Sequence, residues 1–220
     1  MEYKRLTLLC GHYGSGKTNV AVNMALNLKK KFEKVALADL DIVNPYFRAK
    51  DSSDILEENG IQLICSEFAN SNVDFPALPQ ELYAITDNKS VHTVMDIGGD
   101  ERGALALGRI APAIMQENNY EMYMVINCYR PLTPDEFSVL EVLNEIENAC
   151  RIKFTGIINN SNLGLETTPE TVLNSLDFAK RTSLLTGLPI AATTVNYTLF
   201  ENLKNKIADL LPITVKNYVN

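Results

Sequence analysis

Short, almost wholly apolar runs alternate along this chain with longer stretches whose apolar residues recur every three or four positions. The runs Leu6–Cys10, Val35–Leu40, Ile61–Cys65, Val91–Ile97, Tyr120–Cys128, Phe154–Asn159 and Pro189–Thr194 predict seven strands. Several are apolar nearly throughout, as strands covered on both faces of a parallel sheet are. After the first run, Val20, Ala21, Met24, Ala25 and Leu28 fall at helical spacing and predict a helix with one buried face. Thr133-Pro134-Asp135-Glu136 carries a capping box with proline at the first helical position and predicts a helix through about Ala149. Thr168-Pro169-Glu170 opens another, ending near Gly187 ahead of Pro189. Together these predict a doubly wound α/β fold, a mostly parallel sheet of seven to eight strands between two helical layers. Its crossovers should be right-handed, with ligands at the carboxyl ends of the strands. Neither an internal repeat nor a linker interrupts the pattern, so residues 1–220 read as a single domain. The loopiest segment, Glu67–Pro79, follows a strand and is expected on the ligand face, either as a plain connection or as a partner-facing segment.

Between the first strand and the first helix stands Gly11-His12-Tyr13-Gly14-Ser15-Gly16-Lys17-Thr18, a complete G-x-x-x-x-G-K-T phosphate-loop pattern. A glycine loop joining a strand to a helix N-terminus aims backbone N–H groups and the helix dipole at one point, which suits a polyphosphate. In such a loop Lys17 reaches the β- and γ-phosphates and the Thr18 hydroxyl binds Mg²⁺. The second strand ends in Asp39-Leu40-Asp41, two carboxylates at a spacing that points them the same way. One could anchor Mg²⁺ through water while the other orients an attacking water. The fourth strand closes with Asp96-Ile97-Gly98-Gly99. An aspartate ending an apolar strand is the usual Walker B carboxylate, and Gly99 can offer its N–H to a γ-phosphate.

Composition narrows the classes of function. Hydrophobic content of 46% and charged content of 21% suit a globular domain with a filled core. No apolar stretch approaches the roughly 18 residues of a membrane span. The segment Met1-Glu2-Tyr3-Lys4-Arg5 runs directly into the first strand without the apolar region of a signal peptide. Cys10, Cys65, Cys128 and Cys150 are scattered, with neither the C-x-x-C nor the C-x-C spacing of a zinc or iron–sulfur site. Reduced thiols in a cytoplasmic protein are the simplest reading. A net charge of −7 argues against nucleic acid as the main partner. The Lys29-Lys30-Lys31 run at the end of the first helix is explained by the helix dipole. The C-terminal Leu210-Leu211-Pro212-Ile213-Thr214-Val215-Lys216 is broken by proline and is not the basic amphipathic helix of a membrane anchor.

The order Gly11–Thr18, Asp39-x-Asp41, Asp96-x-x-Gly99 resembles the MinD/ParA/CobQ-CobB group of SIMIBI-type P-loop ATPases, across essentially the whole chain. That resemblance implies a three-layer α/β/α P-loop NTPase fold, Mg-ATP hydrolysis and, in many relatives, an ATP-dependent homodimer that clamps or releases a protein partner. Carried to this sequence, Gly11, His12, Tyr13, Gly14, Ser15, Gly16, Lys17 and Thr18 hold phosphate. Asp41 positions the hydrolytic water, and Thr18, Asp39 and Asp96 surround Mg²⁺. The chain departs from the pattern at His12, where dimerising members carry a second lysine. Histidine is shorter and not permanently charged at neutral pH, which puts a cation reaching across a dimer in doubt.

The family places a purine-reading asparagine at the end of the sixth strand, in Asn159-Asn160-Ser161-Asn162-Leu163. Alignment by the strand end favours Asn160, with Asn159 as the alternative. A guanine reader would add an acid three residues on, where this chain has Leu163, so adenine is favoured. Thr194-Val195-Asn196-Tyr197 should pass the other edge of the base. The leading expectation is therefore a cytoplasmic Mg-dependent ATPase acting on an unidentified protein partner. The alternatives are an ATP-dependent ligase or amidase relative activating a small carboxylate, and a nucleotide sensor that barely hydrolyses ATP.

Overall fold

In the computed structural model the described residues are 3–40, 52–65, 80–99 and 101–214. The strands are β1 (Leu6–Cys10), β2 (Val35–Leu40), β3 (Gln62–Cys65), β4 (His92–Ile97), β5 (Tyr120–Ile126), β6 (Gly156–Asn159), β7 (Ile190–Asn196) and β8 (Leu210–Ile213). The helices are α1 (Lys17–Lys29), α2 (Ser53–Glu58), α3 (Gln80–Asp87), α4 (Glu101–Glu117), α5 (Glu136–Cys150), α6 (Pro169–Asn174), α7 (Leu176–Thr186) and α8 (Phe200–Leu203). All eight strands pair in parallel, in the order β3-β2-β4-β1-β5-β6-β7-β8. The seven strands expected from the hydrophobic runs are present, their ends shifted by no more than two residues.

Alternation along the buried strands divides the core. Leu8, Ala36, Ala38, Met95 and Met124 face Leu107, Ile114, Val139, Ile146 and Phe178 of α4, α5 and α7. Leu9, Leu37, Val94 and Val125 face Val20, Met24, Leu28 and Leu56 of α1 and α2. A sheet buried on both sides needs no polar alternation, which is why its strands read as continuous apolar runs.

Two local expectations are corrected, and the sheet takes the larger of its expected strand numbers. Helix α5 starts at Glu136 rather than beside Thr133, because Asp135 takes the cap and accepts a hydrogen bond from the Ser138 N–H at 2.8 Å. That bond, with a second from the Ser138 hydroxyl, holds the Asp135 carboxyl below its usual range. Thr133 is buried instead. The helix opened by Thr168 starts where expected, with a capping box to Thr171, but it breaks at Ser175 into α6 and α7, and α7 ends at a left-handed Gly187. At the break the Ser175 hydroxyl donates to Val172 O at 2.7 Å and accepts from Asn159 Nδ2 at 2.9 Å. The proline-broken C-terminal run forms an eighth strand. The Thr193 N–H bonds Asp209 O at 3.1 Å, so Asp209, Leu211 and Ile213 turn their backbone polar groups toward β7. Pro212 turns outward on the edge, where a missing N–H breaks no ladder bond. The Glu67–Pro79 segment and Asp41 lie outside the described residues.

At the amino ends of the strands a buried cation joins three elements. Arg5, 3% exposed, pairs through two of its nitrogens with the Glu117 carboxylate at the end of α4. Its Nη1 donates to Ile85 O at 3.0 Å and Val91 O at 3.1 Å. The hydrogen bond from Arg5 holds the Glu117 carboxyl below the usual range. A depressed carboxyl contributes stability that is present above its unfolded value of about 4.3 and is lost as pH falls through its folded value. Glu117→Ala is expected to cost about 3 kcal/mol at pH 7. Denaturant melts should show the gap to wild type closing below about pH 4; a gap constant down to pH 3 would refute the assignment.

Candidate functional site

At the opposite pole β1 runs into the glycine loop, and the loop's shape follows from what its glycines allow. Gly16 has φ 83° and ψ 19°, and a Cβ built on it would lie 2.4 Å from Asn160 Nδ2. Only glycine relieves both the left-handed backbone and that contact. Gly16 caps α1 without any side-chain cap, and no acidic residue stands in the first turn. The N–H groups of that turn therefore converge at an end of the helix dipole suited to an anion. Lys17 and Thr18 are buried, each 3% exposed, as is Ser15. His12 is half-buried with Nδ1 3.3 Å from Tyr13 O, and Tyr13 itself is exposed.

The acidic residue of β4 meets this loop, and that of β2 stands beside it on the next strand. Thr18 Oγ1 donates to Asp96 Oδ2 at 2.5 Å, with Asp96 fully buried. Asp39 is the register partner of Asp96 on the neighbouring strand, and it is 8% exposed. Among the described residues no three His, Cys, Asp or Glu side chains cluster as a metal cage. Magnesium with a bound nucleotide does not need one, since it takes one or two protein oxygens together with phosphates and water. The Thr18 hydroxyl and the Asp96 and Asp39 carboxylates fit that role as hard oxygen donors. Gly99 presses against the start of the loop, where an added Cβ would sit 2.0 Å from Gly11 O and 2.9 Å from His12 Cα. The Cys10 thiol, buried at the end of β1, is pushed well up by burial and is no candidate nucleophile.

The two asparagines ending β6 have different surroundings. Asn159 faces Ser175 at the α6–α7 break and accepts from the Ser161 N–H at 3.2 Å. Asn160 lies under the phosphate loop. Its Nδ2 donates to Ser15 O at 2.7 Å, and its Oδ1 accepts from Thr194 Oγ1 at 2.5 Å. Of the two, Asn160 is the one beside the loop. It borders a cavity of about 100 Å³ lined also by Gly16, Asn19, Asn127, Arg130, Asn162, Gly164 and Ile213. Thr194 thus works beneath the amide, whereas the exposed Tyr197 lines a separate groove of about 510 Å³ between α1 and β8. Of the loop Thr194–Tyr197, Thr194 holds the Asn160 amide while Tyr197 lines the other groove.

Sequence reasoning missed Asn127 and Arg130, which follow β5. Asn127 carries no motif, yet its Oδ1 accepts from the Tyr129 N–H at 3.0 Å and shapes the turn. Its position at the carboxyl end of a central strand was the available signal.

No protein-family model matches this chain, and no curated protein does. Among solved structures it is similar to FtsY from Mycoplasma mycoides, with 18% identity, a TM-score of 0.54, and coverage of 89% of this chain and 61% of that one. The FtsY cell division protein of Thermotoga maritima gives 18% identity, a TM-score of 0.54 and coverage of 87% and 61%. The 54 kDa signal recognition particle protein of Aeropyrum pernix, in complex with GDP, gives 16%, 0.51, and 87% and 41%. The chain spans about three fifths of the FtsY chains it matches. At these identities the likeness is one of fold: the chain has the three-layer α/β/α P-loop fold.

The close approach of Gly99 makes a direct forecast. Gly99→Ala must displace backbone on both sides, and overpacking of this kind costs about 1–3 kcal/mol. For a chain of this size that corresponds to a melting temperature lower by about 2–12 °C. Calorimetry checks it, and an unchanged melting temperature would place the loop elsewhere.

Proposed function

We propose that this chain is a single-domain, Mg-dependent P-loop nucleotide hydrolase of the MinD/ParA/CobQ-CobB type. In this reading it is cytoplasmic, prefers ATP and changes conformation to act on a protein partner. The observation that carries the reading is the first turn of α1: a left-handed Gly16, no capping side chain, buried Lys17 and Thr18, and Thr18 bonded to the strand-end Asp96. Such a helix end stabilises an anion, and the adjoining oxygens suit the cation that accompanies it.

In this reading residues 11–18 enclose the phosphates, with Lys17 as their cation. Mg²⁺, held by Thr18 with Asp39 and Asp96, would neutralise charge on the transferring phosphoryl group. Asp41 orients water, and Gly99 answers to the γ-phosphate. Asn160 borders the base: with one N–H on Ser15 O and its oxygen on Thr194, its second N–H remains to donate to a purine N7. Because adenine and guanine share N7, the preference between them rests on the other edge, where Leu163 offers no acid. Exposed Leu132, Phe137, Leu163 and Leu165 stand in the segments that flank this cavity and would suit a partner on the nucleotide face. An ATP-dependent homodimer is retained as one form of that partner, with His12 in place of the trans lysine.

Guanine is the competing reading, favoured by the GDP in the Aeropyrum pernix structure of the same fold. The ligase or amidase reading predicts phosphate release stimulated by small carboxylates, and the sensor reading predicts tight binding with little turnover.

Two variants and a competition measurement test the proposal. Lys17→Ala should lose nucleotide binding while keeping its circular dichroism spectrum, and Asp41→Asn should keep binding but hydrolyse at least about tenfold more slowly. Wild-type turnover by Lys17→Ala would remove the phosphate site. In competition, ATP should displace a fluorescent nucleotide at a concentration at least about tenfold below GTP, equivalent to about 1.4 kcal/mol. Equal displacement would remove adenine selectivity while leaving the phosphate site in place.

A further inference from the structure

Arg130 follows β5 in a segment no motif marks, yet its side chain lies across the phosphate loop. A Cβ built on Gly14 would sit 3.6 Å from Arg130 Cδ and 3.7 Å from Nε. The same residue lines the cavity bounded by Gly16, Asn19 and Asn160. Its backbone is fixed in a turn, with the Arg130 N–H on Asn127 O at 3.2 Å and the Thr133 N–H on Arg130 O at 3.3 Å. The side chain is exposed, and among the described residues no carboxylate forms an ion pair with it. An arginine standing over a loop of converging N–H groups, with no acidic partner, is placed to meet an anion.

The charge balance points the same way. A nucleoside triphosphate brings several negative charges to a site that already holds Asp39 and Asp96. Lys17 is the one permanent cation of residues 11–18, since position 12 is histidine. We propose that Arg130 is the second cation of this site, supplied in cis, and that its guanidinium binds the polyphosphate over Gly14. This inference rests on the nucleotide-binding reading. It makes a cation from a second subunit unnecessary for neutralising the phosphates. The planar fork of arginine suits the task, because it can bond two phosphate oxygens at once.

The test compares dissociation constants of adenosine and Mg-ATP, and of guanosine and Mg-GTP, for wild type, Arg130→Ala, Arg130→Lys and Lys17→Ala. For the triphosphates Arg130→Ala should bind about tenfold to a hundredfold more weakly, the range of a lost charge-assisted hydrogen bond. Affinity for the nucleosides should not change. Arg130→Lys should recover part of the loss, as a point charge without the fork. The wild-type triphosphate affinity should also weaken more steeply with added salt than that of Arg130→Ala. Wild-type binding of triphosphate that Arg130→Ala leaves unchanged would overturn this inference alone. So would equal fractional losses for nucleoside and triphosphate, which would place the guanidinium on the base. Failure of wild type to bind any of the four, with Lys17→Ala indistinguishable from it, would overturn the nucleotide reading and this inference with it.

Discussion

Helix α1 begins at a glycine, which has no side chain to cap its first N–H groups, and the surrounding structure is arranged around that helix end. The glycine cap turns the chain through a left-handed conformation that a Cβ would strain. The absence of that Cβ also admits the Asn160 amide to within bonding distance of Ser15 O. The same amide is held by Thr194, so β6 and β7 support the loop from below. β4 reaches it through Asp96 and Gly99, and β5 closes against Gly11. Strands distant in sequence thus fix one short loop, and the positions of Lys17 and Thr18 follow from that framework.

The parallel order explains why those strands meet there. With every strand running the same way, all the carboxyl ends collect at one pole, and β1 lies between β4 and β5 at the centre. The residues at the ends of β4, β5 and β6 are therefore neighbours of the loop after β1 without any need to be near it in sequence. At the other pole Arg5 ties the end of α4 to the segments beside α3 and β4 through one buried pair and two carbonyls. The buried ion pair and the glycine loop thus lie at opposite ends of the sheet.

Much of this was legible in the residues themselves. Continuous apolar runs identified seven strands because a doubly covered parallel sheet demands them, and the spacing of the glycine loop placed the turn between β1 and α1 where the structure has it. What stayed hidden depends on pairing in three dimensions. Pro212 read as a break because its tolerance on an outer edge depends on which neighbour β8 lacks. Asp135 outcompeted Thr133 for the cap of α5 because Thr133 is buried in the fold. That Asn160 and not Asn159 lies beside the loop required knowing that one faces Ser15 and the other Ser175. Arg130 has no local pattern at all; only the adjacency of β5 to β1 brings it over Gly14.

The outward orientation of Pro212 has a consequence for how this molecule behaves among copies of itself. Among the described residues the parallel sheet ends in two margins, β3 and β8, each four residues long. An incoming chain could extend such a margin by hydrogen bonding to its exposed N–H and C=O groups. On β8 the outward-facing residues are Leu210 and Pro212, and the second has no N–H to give. A templated ninth strand would find one donor missing in a span too short to compensate. The residue that disguised the last strand in the sequence thus guards the sheet against growing past its eighth strand.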